Sequence, residues 1–381
     1  MTQTSTDNAL DDASHEPSDE SPILVIHDIF DFKGGGERTA LTLAYGLETD
    51  LFSGTLNRNS FDISLPGGCS FRTLDCRLPT SLFKTLMLIL YFRYRTRFIN
   101  TYQRIIFSGW VCLFAIHNHR NGPNIWYCYT PPRDFYDQYQ QTYRNASWGK
   151  RILMHLVLPG LRKRFEQAVK QVDLIIAISE TIQDRVKHSF EKPSVVVYPP
   201  CDVDLFHWIE QEEFYLSTAR LVPLKRVDRI VQAFLGMPHK RLVVVSTGSE
   251  WDSLKQRAAG AANIQFTGSV SDETLRDLMG KCLASIYIPQ NEDFGISPVE
   301  SMAAGKPVIG VAEGGLRETV LDGETGILLP PDPSAEAIRE AVIRMTPETA
   351  LSMREACEKR AKRFSRERFI TEMKAIVDKY R

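Results

Sequence analysis

A single stretch, Tyr287-Ile-Pro-Gln-Asn-Glu292-Asp-Phe-Gly295-Ile-Ser-Pro298-Val-Glu300-Ser-Met-Ala-Ala-Gly305-Lys-Pro307-Val-Ile-Gly310, leaves this chain few ways to fold. It opens on an apolar run, 284–288, whose length and composition predict a buried strand. A loop with Gly295 comes next, then a helix with Pro298 near its first position, where a missing N–H costs nothing. Gly305-Lys306-Pro307 stops that helix, and 307–311 reads as the next strand. A strand, a loop and a helix in this order aim the loop's free N–H groups beyond the carboxyl edge of a sheet, where open α/β sheets bind ligands. Glu292 precedes the turn, and Glu300, with seven residues between them, falls in the expected first turn of the helix. Together the two carboxylates suit a hydroxyl-rich ligand, because each accepts two or more hydrogen bonds. Taken singly, either also reads as a solvated loop acid or as a helix charge favoured by the dipole.

The rest of the chain repeats the strand–loop–helix theme. At 381 residues it is long enough for two domains. Residues 1–22 carry six acids and no Lys or Arg, and read as a disordered acidic tail. Strands are expected at 23–26, 104–108, 124–129, 174–179 and 194–198, and Pro199-Pro200 breaks the series. The first domain is therefore placed at 23–200 and a polar linker at 201–213. A second α/β domain follows at 214–365, with strands at 214–217, 242–246, 264–266, 284–288, 307–311 and 327–329. A last helix occupies 366–381. Alternating strands and helices mean parallel, doubly wound sheets. Seven scattered cysteines without a C-x-x-C pair argue for a reducing compartment and against a zinc site. No secretory leader is expected, and the longest apolar run falls far short of the ~20 residues that span a bilayer.

Three further groups lie where a ligand is expected. Arg220 and Lys225 sit in the loop after the first strand of the second domain, a forked donor and a point charge suited to a diphosphate. Gly34-Gly35-Gly36 lies between a strand and a helix expected from Thr39 to Leu47; locally, three glycines are also an ordinary tight turn. Ser246-Thr247-Gly248 ends a strand and could line a nucleotide, while Gly314-Gly315 reads equally as a close approach or a turn. No G-x-G-x-x-G fingerprint is present, which counts against a dinucleotide oxidoreductase. Tyr129 and Arg133 end a first-domain strand and are candidates for gripping an acceptor. His117 and His119 read as surface histidines.

Residues 80–170 hold fourteen Lys or Arg against three acids, next to the apolar runs 86–92 and 152–158. Cations beside large apolar side chains suit an anionic membrane face. They also suit buried helices with solvated cationic ends. They could meet nucleic-acid phosphates too, but no nucleic-acid fold is recognisable and no such partner is expected.

The string from Glu292 to Val308 resembles the E-x7-E signature of the family 4 retaining glycosyltransferases, and is most similar to mannosyltransferase-like members. That resemblance implies the GT-B fold, two Rossmann-like doubly wound domains facing a central cleft, with the final helix crossing back to the first domain. It implies a hexosyl transfer, mannosyl favoured, from a GDP- or UDP-linked sugar to a glycan or lipid-linked acceptor, with anomeric retention and without metal or other cofactor. By resemblance Glu292 meets the donor sugar and Glu300 the ribose, with the N–H groups around Phe294, Gly295 and Ile296 also on the sugar. Arg220 and Lys225 meet the diphosphate, and Gly35 and Gly36 form the glycine-rich first loop. Related mannosyltransferase-like members carry a histidine where Tyr129 stands. The expected location is cytoplasmic, peripheral on the inner membrane face. A soluble-acceptor transferase of the glycogen- or sucrose-synthase type, a sugar-nucleotide epimerase and a catalytically silent sugar-binding subunit remain alternatives.

Overall fold

The computed structural model describes residues 22–31, 34–57, 61, 63–74, 82–137 and 139–380. The acidic tail 1–21 and the end of the last helix at 381 lie outside these residues. Two parallel sheets carry the fold. The first contains β1 (Ile23–His27), β2 (Asp50–Ser53), β3 (Phe71–Thr73), β4 (Arg104–Ser108), β5 (Asn124–Cys128), β6 (Leu174–Ala177) and β7 (Val195–Val196). Their order is β3-β2-β1-β4-β5-β6-β7. The second contains β8 (Phe214–Ser217), β9 (Arg241–Val245), β10 (Ile264–Gly268), β11 (Ala284–Ile286), β12 (Val308–Val311) and β13 (Gly326–Leu329). Its order is β10-β9-β8-β11-β12-β13. Parallel strands covered on both faces need continuous apolar runs. Leu24 to Ile26, Ile105 to Phe107 and Val308 to Ile309 satisfy this, none more than 2% exposed.

By compactness the chain falls into two units, Met1–Trp126 with Tyr143–Leu174, and Tyr127–Thr142 with Ile175–Arg381. In the second, the terminal helix Arg366–Lys379 packs Phe369 edge-on against Tyr127. Arg368 of the same helix donates to the Tyr198 carbonyl.

Several elements differ from the sequence expectations. Strands β2 and β3 were not anticipated. Asp50 interrupts the apolar pattern, yet it is buried and accepts from Tyr102 Oη and the Ser70 N–H, both at 2.7 Å. The first helix begins at Gly35 rather than Thr39, so Gly35 and Gly36 form its opening turn instead of a separate glycine turn. The sequence also reads as one helix over 349–362, which the structure divides into Pro347–Ser352 and Arg354–Lys362, the former capped by Thr346 with Pro347 at its first position. His119 is no surface residue: it is 3% exposed and hydrogen-bonds Asn124 Oδ1 and the Tyr102 carbonyl.

In both sheets the strand order reverses once, between β1 and β4 and between β8 and β11. Loops leaving the carboxyl ends on either side of such a reversal part from each other and leave a crevice. Asp28, just after β1, accepts from the N–H groups of Trp110, Val111 and Cys112 just after β4. A Cβ on Gly109 would stand 2.4 Å from the same carboxylate.

Candidate functional site

Arg220, Lys225, Glu292 and Glu300 lie on the segments that leave β8 and β11, on either side of the reversal in the second sheet. The loop after β8 carries Arg220 and ends in the short turn Pro223–Lys225, followed by Arg226 in the left-handed region at φ 53°. Arg226 is buried and pairs with Glu313 at 2.8 Å. Glu313 also accepts from the N–H groups of Asn291 (3.1 Å) and Asp332 (2.7 Å). Burial raises its carboxyl pKa, but the Arg226 guanidinium and these two amides outweigh it and hold the group below the usual range. A buried pair satisfied in this way costs little and fixes the start of the neighbouring loop.

That loop, after β11, brings Glu292 to Lys225. Lys225 Nζ lies 2.5 Å from Glu292 Oε2 and 3.0 Å from Tyr287 Oη, and Tyr287 Oη donates to Glu292 Oε1 at 3.1 Å. Tyr287 is 6% exposed. Burial, and then the charge and hydrogen bond of Glu292, push its phenol well above its ordinary range, with Glu300 adding to the shift and Arg220 opposing it. The hydroxyl thus touches or feels all four charged residues of the expected site. Arg220 itself is exposed and, among the described residues, pairs with no carboxylate.

Several contacts hold the loop in shape. The Gln290 N–H donates to the Leu224 carbonyl and the Gly315 N–H to the Glu292 carbonyl, each at 2.8 Å. Gly314, at φ 56°, lies so close that a Cβ there would stand 2.2 Å from the Glu292 carbonyl oxygen. Gly314 and Gly315 therefore carry the loop's backbone. From the helix Glu180–Phe190, Ser179 Oγ donates to the Asp293 carbonyl at 2.6 Å while capping its own helix at Ile182. Arg185 pairs with Asp293 and donates at 3.2 Å to both the Asn291 carbonyl and Thr130 Oγ1. Burial pushes the Asp293 carboxyl up, against the pull of Arg185 and Arg133. Glu318 accepts from the Glu180 and Thr181 N–H groups at 2.6 and 2.8 Å.

The helix after the loop runs from Ile296 to Ala303, with Gly295 at φ 92° as its N-cap. It starts earlier than the sequence suggested, so Glu300 is its fifth residue and not part of its first turn. Glu300 is 9% exposed, so its place depends on tertiary partners more than on the helix dipole. The Phe294 ring is core, packed on Tyr198 and Phe364, which leaves only backbone N–H groups at 294–296 for a ligand. Ser246 and Gly248 lie at the same edge of the sheet, after β9. A Cβ on Gly248 would meet the Leu221 carbonyl oxygen at 2.2 Å, so this glycine lets the 246–250 turn close on the Arg220 loop. Tyr129 is half-buried, edge-on to Tyr127. Arg133 directs its guanidinium at Asp137, at 2.9 and 3.1 Å. Gly35 and Gly36 belong to the other unit, in the opening turn of its first helix.

Sequence reasoning missed Tyr287 as a site residue. The signal was available: a phenol at the end of a buried strand, directly before an acidic loop. Among the described residues no cluster of three or more His, Cys, Asp or Glu side chains could hold a metal ion.

Residues 206–364 match the family model described as glycosyl transferases group 1. The chain is similar to an uncharacterized glycosyltransferase of Methanocaldococcus jannaschii, 26% identical over 43% of this chain and 47% of that protein. It is also similar to the human alpha-1,3/1,6-mannosyltransferase ALG2, 35% identical over 41% of this chain and 37% of the relative. The matches thus span less than half of these relatives' length. Among solved structures, a sucrose-phosphate synthase of Thermosynechococcus elongatus aligns with a TM-score of 0.76 at 18% identity, covering 94% of this chain and 98% of that one. HepE of Anabaena, in complex with UDP and glucose, aligns at 0.68 and 15% identity over 93% and 99%. At these identities the structural matches establish the fold alone, which is GT-B with two Rossmann-like parallel sheets.

Proposed function

We propose that this chain, whose residues 206–364 match the group 1 glycosyl transferases and whose fold is GT-B, moves a hexosyl group from a nucleotide sugar to a glycan or lipid-linked acceptor. The observation that carries this reading is the convergence of Arg220, Lys225, Glu292 and Glu300 around one buried hydroxyl at the strand-order reversal of the second sheet. Arg220 and Lys225 neutralise the leaving diphosphate, the work a metal does elsewhere. Glu292 accepts from the donor sugar's hydroxyls and Glu300 from the ribose, while the N–H groups at 294–296 face the sugar. The acceptor attacks on the face the diphosphate leaves, and a phosphate oxygen takes its proton, so the anomeric configuration is retained. Mannose is the favoured sugar because matching relatives include alpha-1,3/1,6-mannosyltransferases.

The acceptor reading draws on the first unit. The helix Trp148–Lys170 leaves Trp148 79%, Ile152 41% and Leu156 73% exposed, a stripe at every fourth residue that continues into the exposed cations Arg162, Lys163 and Arg164. The helix Leu82–Tyr94 adds Leu90 at 45% and Tyr94 at 62%, next to exposed Arg95 and Arg97. Both helices pack on the same segment, Cys112–Asn118. The apolar run 86–92 is not the membrane face it resembled: Leu88, Ile89 and Phe92 are core. The stripe and its cations suit peripheral docking on an anionic lipid surface bearing the acceptor, on the cytoplasmic face. No described helix is long and apolar enough to cross a membrane.

Calorimetric titration with UDP-, GDP- and ADP-linked hexoses tests the proposal. One donor is expected to bind and to turn over with its anomeric configuration kept; binding of none would overturn it.

A further inference from the structure

We infer that Tyr287 is a positioning residue that holds Glu292 in place when Lys225 turns from it to the donor's diphosphate. The inference rests on the roles of Lys225 and Glu292 proposed above. These three side chains form a closed ring of contacts, with Lys225 Nζ to Glu292 Oε2 at 2.5 Å, Lys225 Nζ to Tyr287 Oη at 3.0 Å and Tyr287 Oη to Glu292 Oε1 at 3.1 Å. Valence sets the direction of each bond. An ammonium only donates and a carboxylate only accepts, so the phenol accepts from Lys225 and gives its single proton to Glu292.

The two partners of Glu292 differ in freedom. Lys225 ends a flexible four-carbon stem in a loop and is a point charge that follows the strongest anion. Tyr287 sits at the end of β11, 6% exposed, with its backbone N–H bonded to the Ile309 carbonyl at 2.9 Å, and its ring has two torsions to settle. A diphosphate drawn in by Arg220 offers Lys225 a denser charge than one carboxylate. Once Lys225 leaves, Oε2 is an open acceptor while Oε1 remains tied to the phenol. The vacated oxygen is the one available to a sugar hydroxyl, and the retained bond stops the carboxylate from rotating away. Lys225 and Glu292 therefore each hold the place of a donor contact, and Tyr287 is the part that stays still.

Tyr287→Phe removes one oxygen from a buried ring and keeps its shape. Turnover of the UDP- or GDP-hexose that the titration panel identifies is expected to fall by roughly ten- to a hundredfold, the scale of one hydrogen bond to a charged group. Affinity for UDP or GDP alone, which engages no sugar contact, is expected to change by no more than about threefold, because water can reach the abandoned carboxylate. In a Glu292→Gln background the same substitution is expected to cost less than about twofold, since the carboxylate it positions is gone. Wild-type turnover in Tyr287→Phe overturns the inference. So do losses that multiply across the double variant, the mark of a packing role unrelated to Glu292. If Glu292→Gln alone retains full turnover, the underlying assignment of Glu292 has failed, and that result is separable from a failure of Tyr287.

Discussion

At the scale of single residues, Lys225 and Glu292 are paired with each other, and this alters what substitutions should do. In the proposed role, Lys225 gives up its pairing with Glu292 to meet the diphosphate. Glu292→Gln is therefore expected to leave nucleoside-diphosphate affinity unchanged or tighter while turnover drops, and a clear weakening in titration would contradict the assignment. Lys225→Ala and Arg220→Ala each remove a charge-assisted contact of roughly 1.5–3 kcal/mol, so diphosphate affinity should fall on the order of ten- to a hundredfold. Unchanged affinity in both would show that the diphosphate lies elsewhere. Glu37, in the first unit, is 6% exposed at the opening of its helix. Burial, with Asp28 and Asp31 close by, pushes its carboxyl up to about 7 against the pull of the Gly34 and Glu37 N–H groups. Its folded pKa exceeds the unfolded value, so the folded state holds the extra proton and stability falls as pH rises from about 4.5 to about 7. Glu37→Gln should stabilise at pH 8, by on the order of 2 kcal/mol, and hardly at all at pH 4. Denaturant melts at the two pH values measure this, and an equal effect at both would refute it.

At the scale of elements, the loop carrying Glu292 is set by neighbours distant in the chain. The helix Glu180–Phe190 reaches it through Ser179 and Arg185, and the turn after β12 through Gly314. Ser179→Ala removes both the cap of its helix and the bond to the Asp293 carbonyl. A loss of about 1–2 kcal/mol in stability is expected. Turnover should also fall, because the peptide next to Glu292 loses its anchor. If urea melts shift while turnover at saturating donor does not, the helix only stabilises the loop and does not shape it.

At the scale of the molecule, charge and exposed apolar area coincide on the first unit. Anionic vesicles should float with the protein at low salt. Attraction over a Debye length of ~8 Å at physiological salt should weaken further as salt rises. Replacing Trp148 and Leu156 together with Ser should reduce flotation, and so should Arg93, Arg95 and Arg97 to Ser, with donor binding intact in both. Wild-type protein that stays in solution with anionic lipid at low salt would remove the membrane reading and favour a soluble acceptor.

Much of this was legible in the residues themselves. The apolar runs of 284–288 and 307–311, the Gly-Lys-Pro stop, the placement of Glu292, Arg220 and Lys225 in strand-end loops and that of Glu300 in the helix after its loop all follow from local pattern, because parallel strands buried on both faces tolerate only apolar runs. Strand β2 was hidden for the opposite reason: buried Asp50 is acceptable only because Tyr102 and Ser70 satisfy it from a distance. Both halves of the chain read as the same class of sheet, and nothing local said which crevice was open. In the fold the two differ: Asp28 bonds three amides across the first reversal, while the loops at the second carry Arg220 and Lys225. The role of Tyr287 was likewise a tertiary matter. Its partner Lys225 lies 62 positions away, and only the pairing of β8 with β11 brings that ammonium to the phenol. Sequence pattern determines which segments bury apolar surface, because that depends on neighbours along the chain. Which polar groups meet depends on distances across the sheet, and those exist only once the chain has folded.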